Sequence, residues 1–172
     1  IGDFHVLRRR DFILPFITGK DTLPALTDYG HIKDFYNFFL KELIPSVQSS
    51  YTCTTKRTII GHSLGGLFVF YCLFRNEATF TNYIALSPAL WIDSYRIFEF
   101  NQINGALPSK SWLYFSAGGM KSINQKLPGA YRMNEFLKEK KYKNLVFEYK
   151  IHPWETHNSQ VPLSLKEVLP RL

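Results

Sequence analysis

The chain has 172 residues, 45% hydrophobic and 20% charged, which excludes a disordered, collagen-like or tail-like polymer and suits one domain or a large part of one. Aromatic residues reach 16%, with 15 Phe, 10 Tyr and 3 Trp, a heavy endowment for a core or a cleft. The formal charge of +7 favours acidic ligands without specifying a fold. No apolar run approaches the ~18 residues of a membrane span. Two cysteines without CxxC spacing speak against a disulfide scaffold and a zinc finger alike. Ile1 to His5 carry no signal-peptide pattern, and the compartment (cytoplasmic or periplasmic) and the oligomeric state stay open.

Ile1 to Thr27, rich in Arg, Pro, Gly and Asp, reads as a strand end followed by a long loop. Ile32, Phe35, Tyr36, Phe39, Leu40, Leu43, Ile44 and Val47 then fall at helical spacing, predicting an amphipathic helix packed on a core. Pro45 should bend or stop it. Arg57 to Ile60 is a short β-branched run, and Leu67 to Leu73, apolar all round, predicts a buried helix. Tyr83–Leu86, Trp112–Ser116 and Leu145–Ile151 read as strands, Ala130–Lys140 and Ser164–Leu169 as helices. Strands alternating with helices predict an α/β fold, a mostly parallel sheet with helices on both faces.

Between the first strand and the buried helix lies Gly61-His62-Ser63-Leu64-Gly65, a G-x-S-x-G sequence in the strand–turn–helix setting of a nucleophile elbow. A sharp turn there forces the serine into a strained conformation. Side chains at Gly61 or Gly65 are expected to collide with their neighbours. The Ser63 hydroxyl stands at a helix N-terminus, where the Leu64 N–H faces a developing oxyanion. A serine needs a base. Of the five histidines, His5 and His31 read as structural, His62 points away from Ser63 within the elbow, and His152 reads as a satisfied strand-end residue. His157, in the polar loop before the closing helix, follows the Ser…acid…His order of this architecture and is the expected general base. For the acid, Glu155 and Asp93 both remain open, and so does a Ser–His dyad. Lys138 to Lys143 read as a solvated cationic helix end. No GK[ST] follows Gly66 and no HExxH occurs, so neither a phosphate loop nor a zinc site is indicated.

Arg57 to Phe68 resembles the elbow of the Putative esterase family of α/β-hydrolases, which includes esterase D-like proteins and enterobactin/salmochelin trilactone esterases. Tyr83 to Asp93 is similar to that family's "SPSLWWD" stretch, Glu155-Thr156-His157-Asn158-Ser159 to its histidine loop, and Phe39 to Pro45 to the helix before its elbow. The resemblance implies a serine carboxylester hydrolase with Ser63 as nucleophile, His157 as base and the Leu64 N–H as one oxyanion donor. It implies a small-molecule ester as partner, of siderophore or other acyl type, and no metal or organic cofactor. The family's usual acid aligns near Lys121, which cannot serve. Members also carry strands before the equivalent of Ile1, so 1–172 is expected to be one α/β-hydrolase domain representing the C-terminal two-thirds of a longer one. Arg8, Arg9 and Arg10 would flank the cleft and hold an acidic or catecholate-bearing acyl group, or form a solvated basic loop. Trp91, and with it Trp112 and Trp154, are candidates for an aromatic pocket, core packing being favoured for Trp112. Relatives also include acyltransferases and feruloyl or acetyl-xylan esterases. A non-catalytic basic scaffold is the remaining alternative, but nucleic acid is not expected as partner, since no basic helix or RNP-type stretch is present.

Overall fold

The structure is a computed structural model and describes residues 4–15, 29–120 and 126–172. The chain divides into two compact units, Ile1–Thr55 and Lys56–Leu172.

In the first unit Phe4–Phe12 forms helix α1, where the sequence suggests a strand end and loop. Neither Gly nor Pro interrupts 4–14, and Leu7 to Arg10 are all good helix formers, so local preference suffices without an apolar stripe. Residues 16–27 of the expected loop lie outside the described residues. Helix α2 (Ile32–Phe38) continues through a π-helical turn, Phe39–Leu43, into α3 (Ile44–Ser50). The helix therefore passes Pro45 instead of stopping. Proline has no N–H for the carbonyl four residues back and its ring crowds that carbonyl. The widened turn, with the Ile44 N–H reaching back to the Phe39 carbonyl, accommodates it. The expected core-packed stripe is only partly covered. Ile32 and Tyr36 are buried, but Leu43 and Val47 are exposed; α1 packs on α2. Phe12 meets Phe35 edge to face at 5.1 Å.

The second unit runs β1 (Thr58–His62), α4 (Leu64–Phe74), β2 (Asn82–Leu86), a 3-10 segment (Ile92–Phe98), β3 (Ala106–Gly118), α5 (Lys126–Lys140), β4 (Lys143–His152), α6 (Gln160–Val168) and a last 3-10 turn (Leu169–Arg171). The four strands lie in chain order and every neighbouring pair is parallel. In α4 every residue from Gly66 to Phe74 is buried, as its unbroken apolar run predicts. Each large side chain there contributes about 1.5–3 kcal/mol by leaving water. Successive strand residues point to opposite faces. Phe115 meets Phe70 of α4 at 5.6 Å, while its neighbour Tyr114 packs with Ile84, Leu86 and Val168 of α6. Tyr131 of α5 meets Tyr149, which stacks on Phe115. Helices α4 and α5 thus cover one face and α6 the other, the α/β layering expected from the sequence. None of the described helices is long and apolar enough to cross a membrane.

The 3-10 segment is not foreshadowed in the sequence. Asp93, Ser94 and Tyr95 take three consecutive left-handed conformations, with φ of 53°, 53° and 66°. Each costs a non-glycine residue free energy, so the turn must be held from outside. Arg96 donates to the Asp93 carboxylate at 2.7 Å, and Arg132 of α5 lies 4.3 Å over the Tyr95 ring. A side chain at Gly129 would come within 3.4 Å of that same ring, so α5 and the turn are closely fitted.

Candidate active site

Strand β1 ends at His62 and α4 begins at Leu64, leaving Ser63 alone to turn the chain, with φ 61° and ψ −116°. Three backbone bonds hold it there. Its N–H donates to the Leu86 carbonyl at 3.0 Å, and its own carbonyl accepts from Ala89 at 2.9 Å and Leu67 at 3.0 Å. The bend is thereby fastened to the end of β2. Gly61 makes the bend sterically possible, since a β-carbon there would stand 2.1 Å from the Gly65 carbonyl oxygen. Gly65 is a correction: a β-carbon on it meets nothing within 4 Å. The crowding falls on Gly66 instead, where a β-carbon would lie 2.9 Å from Pro88 Cα. The Ser63 hydroxyl makes no hydrogen bond among the described residues. The Leu64 N–H is at the first helical position, where no intrahelical acceptor exists.

His157 reaches this bend from the far edge of the sheet. It lies in the loop between β4 and α6, and that loop folds over the end of β3 because Gly118 and Gly119 have no side chains. A β-carbon on Gly118 would sit 2.3 Å from the Thr156 oxygen, and one on Gly119 would sit 2.9 Å from Pro153. Backbone bonds from Gly119 to the His152 carbonyl (2.9 Å) and from Met120 to the Glu155 carbonyl (3.1 Å) secure the contact. At the other end, His62 Nε2 donates to the His157 carbonyl at 3.0 Å, and the two imidazole rings lie 4.6 Å apart. Trp91 presents itself edge-on to the His157 ring at 6.3 Å. Ser63 and His157 are thus brought into one neighbourhood through the residue between Gly61 and Ser63. Sequence reasoning missed that part of His62, and no local signal reveals it.

The other candidates are placed as follows. The Glu155 carboxylate makes no hydrogen bond or ion pair among the described residues, while its main chain holds the loop. The Asp93 carboxylate, almost fully buried, receives Arg96. Arg8, Arg9 and Arg10 lie on α1 of the first unit, where Arg10 pairs with Asp11 at 2.8 Å. Trp112 is in the middle of β3, paired in register with Asn82 at the start of β2, and its indole N–H donates to Glu148 while Arg171 lies over the ring. It therefore belongs to the packing around α6, not to a pocket with Trp91. Trp154 is 86% exposed. Lys121 and the side chain of His5 lie outside the described residues. His31 pairs with Asp34 at the start of α2.

His152 is the satisfied strand-end residue expected. Its Nε2 is 2.9 Å from the Ser164 hydroxyl, and Ser164 and Ser116 both approach the Gln160 side-chain oxygen at 2.7 Å, all four side chains being buried. Burial pushes the His152 imidazole below its ordinary value, with Lys150 adding to the shift and Glu167 and Glu155 opposing it. The fold therefore favours the neutral ring. The stability this contributes is present above the unfolded value near 6.5 and is lost as pH falls below it, because only the unfolded chain then takes up the proton. The urea midpoint is expected to drop more between pH 7.5 and 5.5 in the wild type than in a His152→Gln variant. Equal drops would contradict this coupling.

A model of the family described as Putative esterase matches residues 23–162, about four-fifths of the chain. The chain belongs to this family. It is 38% identical over 94 residues to the ferri-bacillibactin esterase BesA of Bacillus subtilis, a match covering 51% of this chain and 32% of that protein. It is 33% identical over 95 residues to a siderophore triacetylfusarinine C esterase of Aspergillus fumigatus, covering 54% and 31%. Among solved structures, the BES protein of Bacillus cereus superposes with a TM-score of 0.82 at 26% identity, over 94% of this chain and 63% of that one. An IroE-like serine hydrolase from Shewanella oneidensis gives 0.79 at 26% identity, over 93% and 54%. The matches span about a third of the curated relatives' length. The family resemblance and the α/β fold read from the sequence both hold.

Proposed function

We propose that this family member acts as a serine carboxylester hydrolase, with Ser63 as nucleophile and His157 as general base, on small-molecule esters of the siderophore type or other acyl esters. The observation that carries the reading is the elbow: a serine at φ 61° between a strand and a buried helix, with a histidine loop tied to the adjacent residue. In this scheme the His157 imidazole takes the Ser63 proton as Oγ bonds to the ester carbonyl carbon. The Leu64 N–H and the N-terminal end of α4 stabilise the oxyanion. As the ester C–O bond breaks, the imidazolium returns that proton to the departing alkoxide, and water then releases the acyl group from Ser63 by the same steps in reverse.

Glu155 and Asp93 are the candidate carboxylates for a third group, beside a Ser–His pair without one. Among the described residues the Glu155 carboxylate makes no hydrogen bond or ion pair, and the Asp93 carboxylate receives Arg96. Trp91 beside His157 offers an apolar wall to the acyl or alcohol part. The names of the relatives, a ferri-bacillibactin esterase and a siderophore triacetylfusarinine C esterase, support an ester of that class as substrate. A fluorophosphonate probe is expected to add once, on Ser63, as read by mass spectrometry of the peptide. Labelling elsewhere, or none, would refute the assignment.

A further inference from the structure

The loop bearing His157 must cross three strand spacings to reach the bend after β1, about 14 Å at ~4.8 Å per spacing. At its β3 end it rests on Gly118 and Gly119. At its β1 end it meets His62, whose Nε2 lies 3.0 Å from the His157 carbonyl oxygen across 95 residues of sequence. A carbonyl oxygen can only accept, so Nε2 carries the hydrogen. The register of β1 on β2 fixes His62 in turn, opposite Leu86, the residue whose carbonyl holds the Ser63 N–H. The main chain of the proposed base is therefore referenced, through one side chain, to the residue adjoining the proposed nucleophile.

We propose that His62 is a positioning residue: its Nε2–H holds the His157 main chain so that the imidazole stands over Ser63. The proposal rests on the Ser63–His157 reading above and adds a role to a residue outside that pair. Its ring does not touch the reacting atoms. It removes the slack that a loop anchored only at β3 would leave, and misplacement by about 1 Å costs on the order of 100-fold in rate.

The test compares His62→Gln, whose amide nitrogen reproduces the donor, with His62→Phe, which keeps an aromatic ring beside His157 and removes the donor. In p-nitrophenyl ester hydrolysis His62→Phe is expected to lose about 10- to 100-fold in kcat with KM changed less than about 3-fold. His62→Gln should rescue kcat to within about 3-fold of wild type. Equal kcat in the two variants would overturn the proposal. Should His62→Phe fail to fold, nitrogen NMR of the histidine-labelled wild type decides: a hydrogen on Nε2 of His62 at pH 8 supports the proposal, and the Nδ1–H tautomer overturns it. Fluorophosphonate labelling separates the two levels. A wild type that is not labelled on Ser63 overturns the hydrolase reading and this proposal together, whereas a labelled wild type with indifferent His62 variants overturns this proposal alone.

Discussion

Ser63→Ala is expected to lower p-nitrophenyl ester turnover by roughly 10⁴- to 10⁶-fold, and His157→Ala by a similar factor, with the double variant little worse than either. The two side chains would act as one unit, since the hydroxyl is a weak nucleophile unless the imidazole takes its proton, and the imidazole has nothing to activate without the hydroxyl. What survives in both variants is the backbone contribution from Leu64 and the binding of the ester. Both substitutions remove polar atoms without adding volume, and the Ser63 hydroxyl caps nothing and bonds to nothing among the described residues. The folded state should accordingly persist, checked by an unchanged circular dichroism spectrum. Full activity in Ser63→Ala would exclude the hydrolase reading. Strictly multiplicative losses would show that His157 acts apart from Ser63.

Gly61→Ala is the second change with a large expected effect. Its methyl would be placed 2.1 Å from the Gly65 carbonyl oxygen and 2.3 Å from the carbonyl carbon, both backbone atoms of a helix buried from Gly66 onward. Neither can move without carrying α4 with it. The cost should reach or exceed about 3 kcal/mol, the upper part of the overpacking range. Activity should fall with stability, because the bend that displays Ser63 is what yields. Gly65→Ala is the internal control. Its methyl meets nothing within 4 Å, and alanine is preferred to glycine in a helix, so stability should be unchanged or rise by up to about 1 kcal/mol. Urea denaturation of both variants tests the contrast. A destabilised Gly65→Ala beside a stable Gly61→Ala would reverse the steric account.

The elbow was legible in the sequence because all its determinants are local: a β-branched run, a glycine, a serine, then the apolar run Leu67 to Leu73. The order of strands and helices in the second unit was legible for the same reason, as was the place of His157 in the loop between the last strand and the closing helix. What could not be read depends on contacts distant in sequence. His62 differs from any other histidine only in facing a loop that arrives 95 residues later. The left-handed run Asp93–Tyr95 exists because Arg96, Arg132 and Gly129 hold it, and nothing within those three residues asks for positive φ. Helix α1 is hidden for the opposite reason, since its formation draws on propensity and it carries no apolar stripe. The helix does not stop at Pro45 because a π-turn, invisible in hydropathy, relieves the clash that would end an ordinary helix.

The sheet is laid down in the same order as the chain, β1 to β4, yet the serine follows its first strand and the histidine its last. Each neighbouring strand pair closes over a short stretch of chain, whereas the His62–His157 contact beside the serine closes over 95 residues and has more entropy to lose. On the proposed assignment, competence would arrive only once the final strand has docked, and a partly assembled chain would hold its serine without its base.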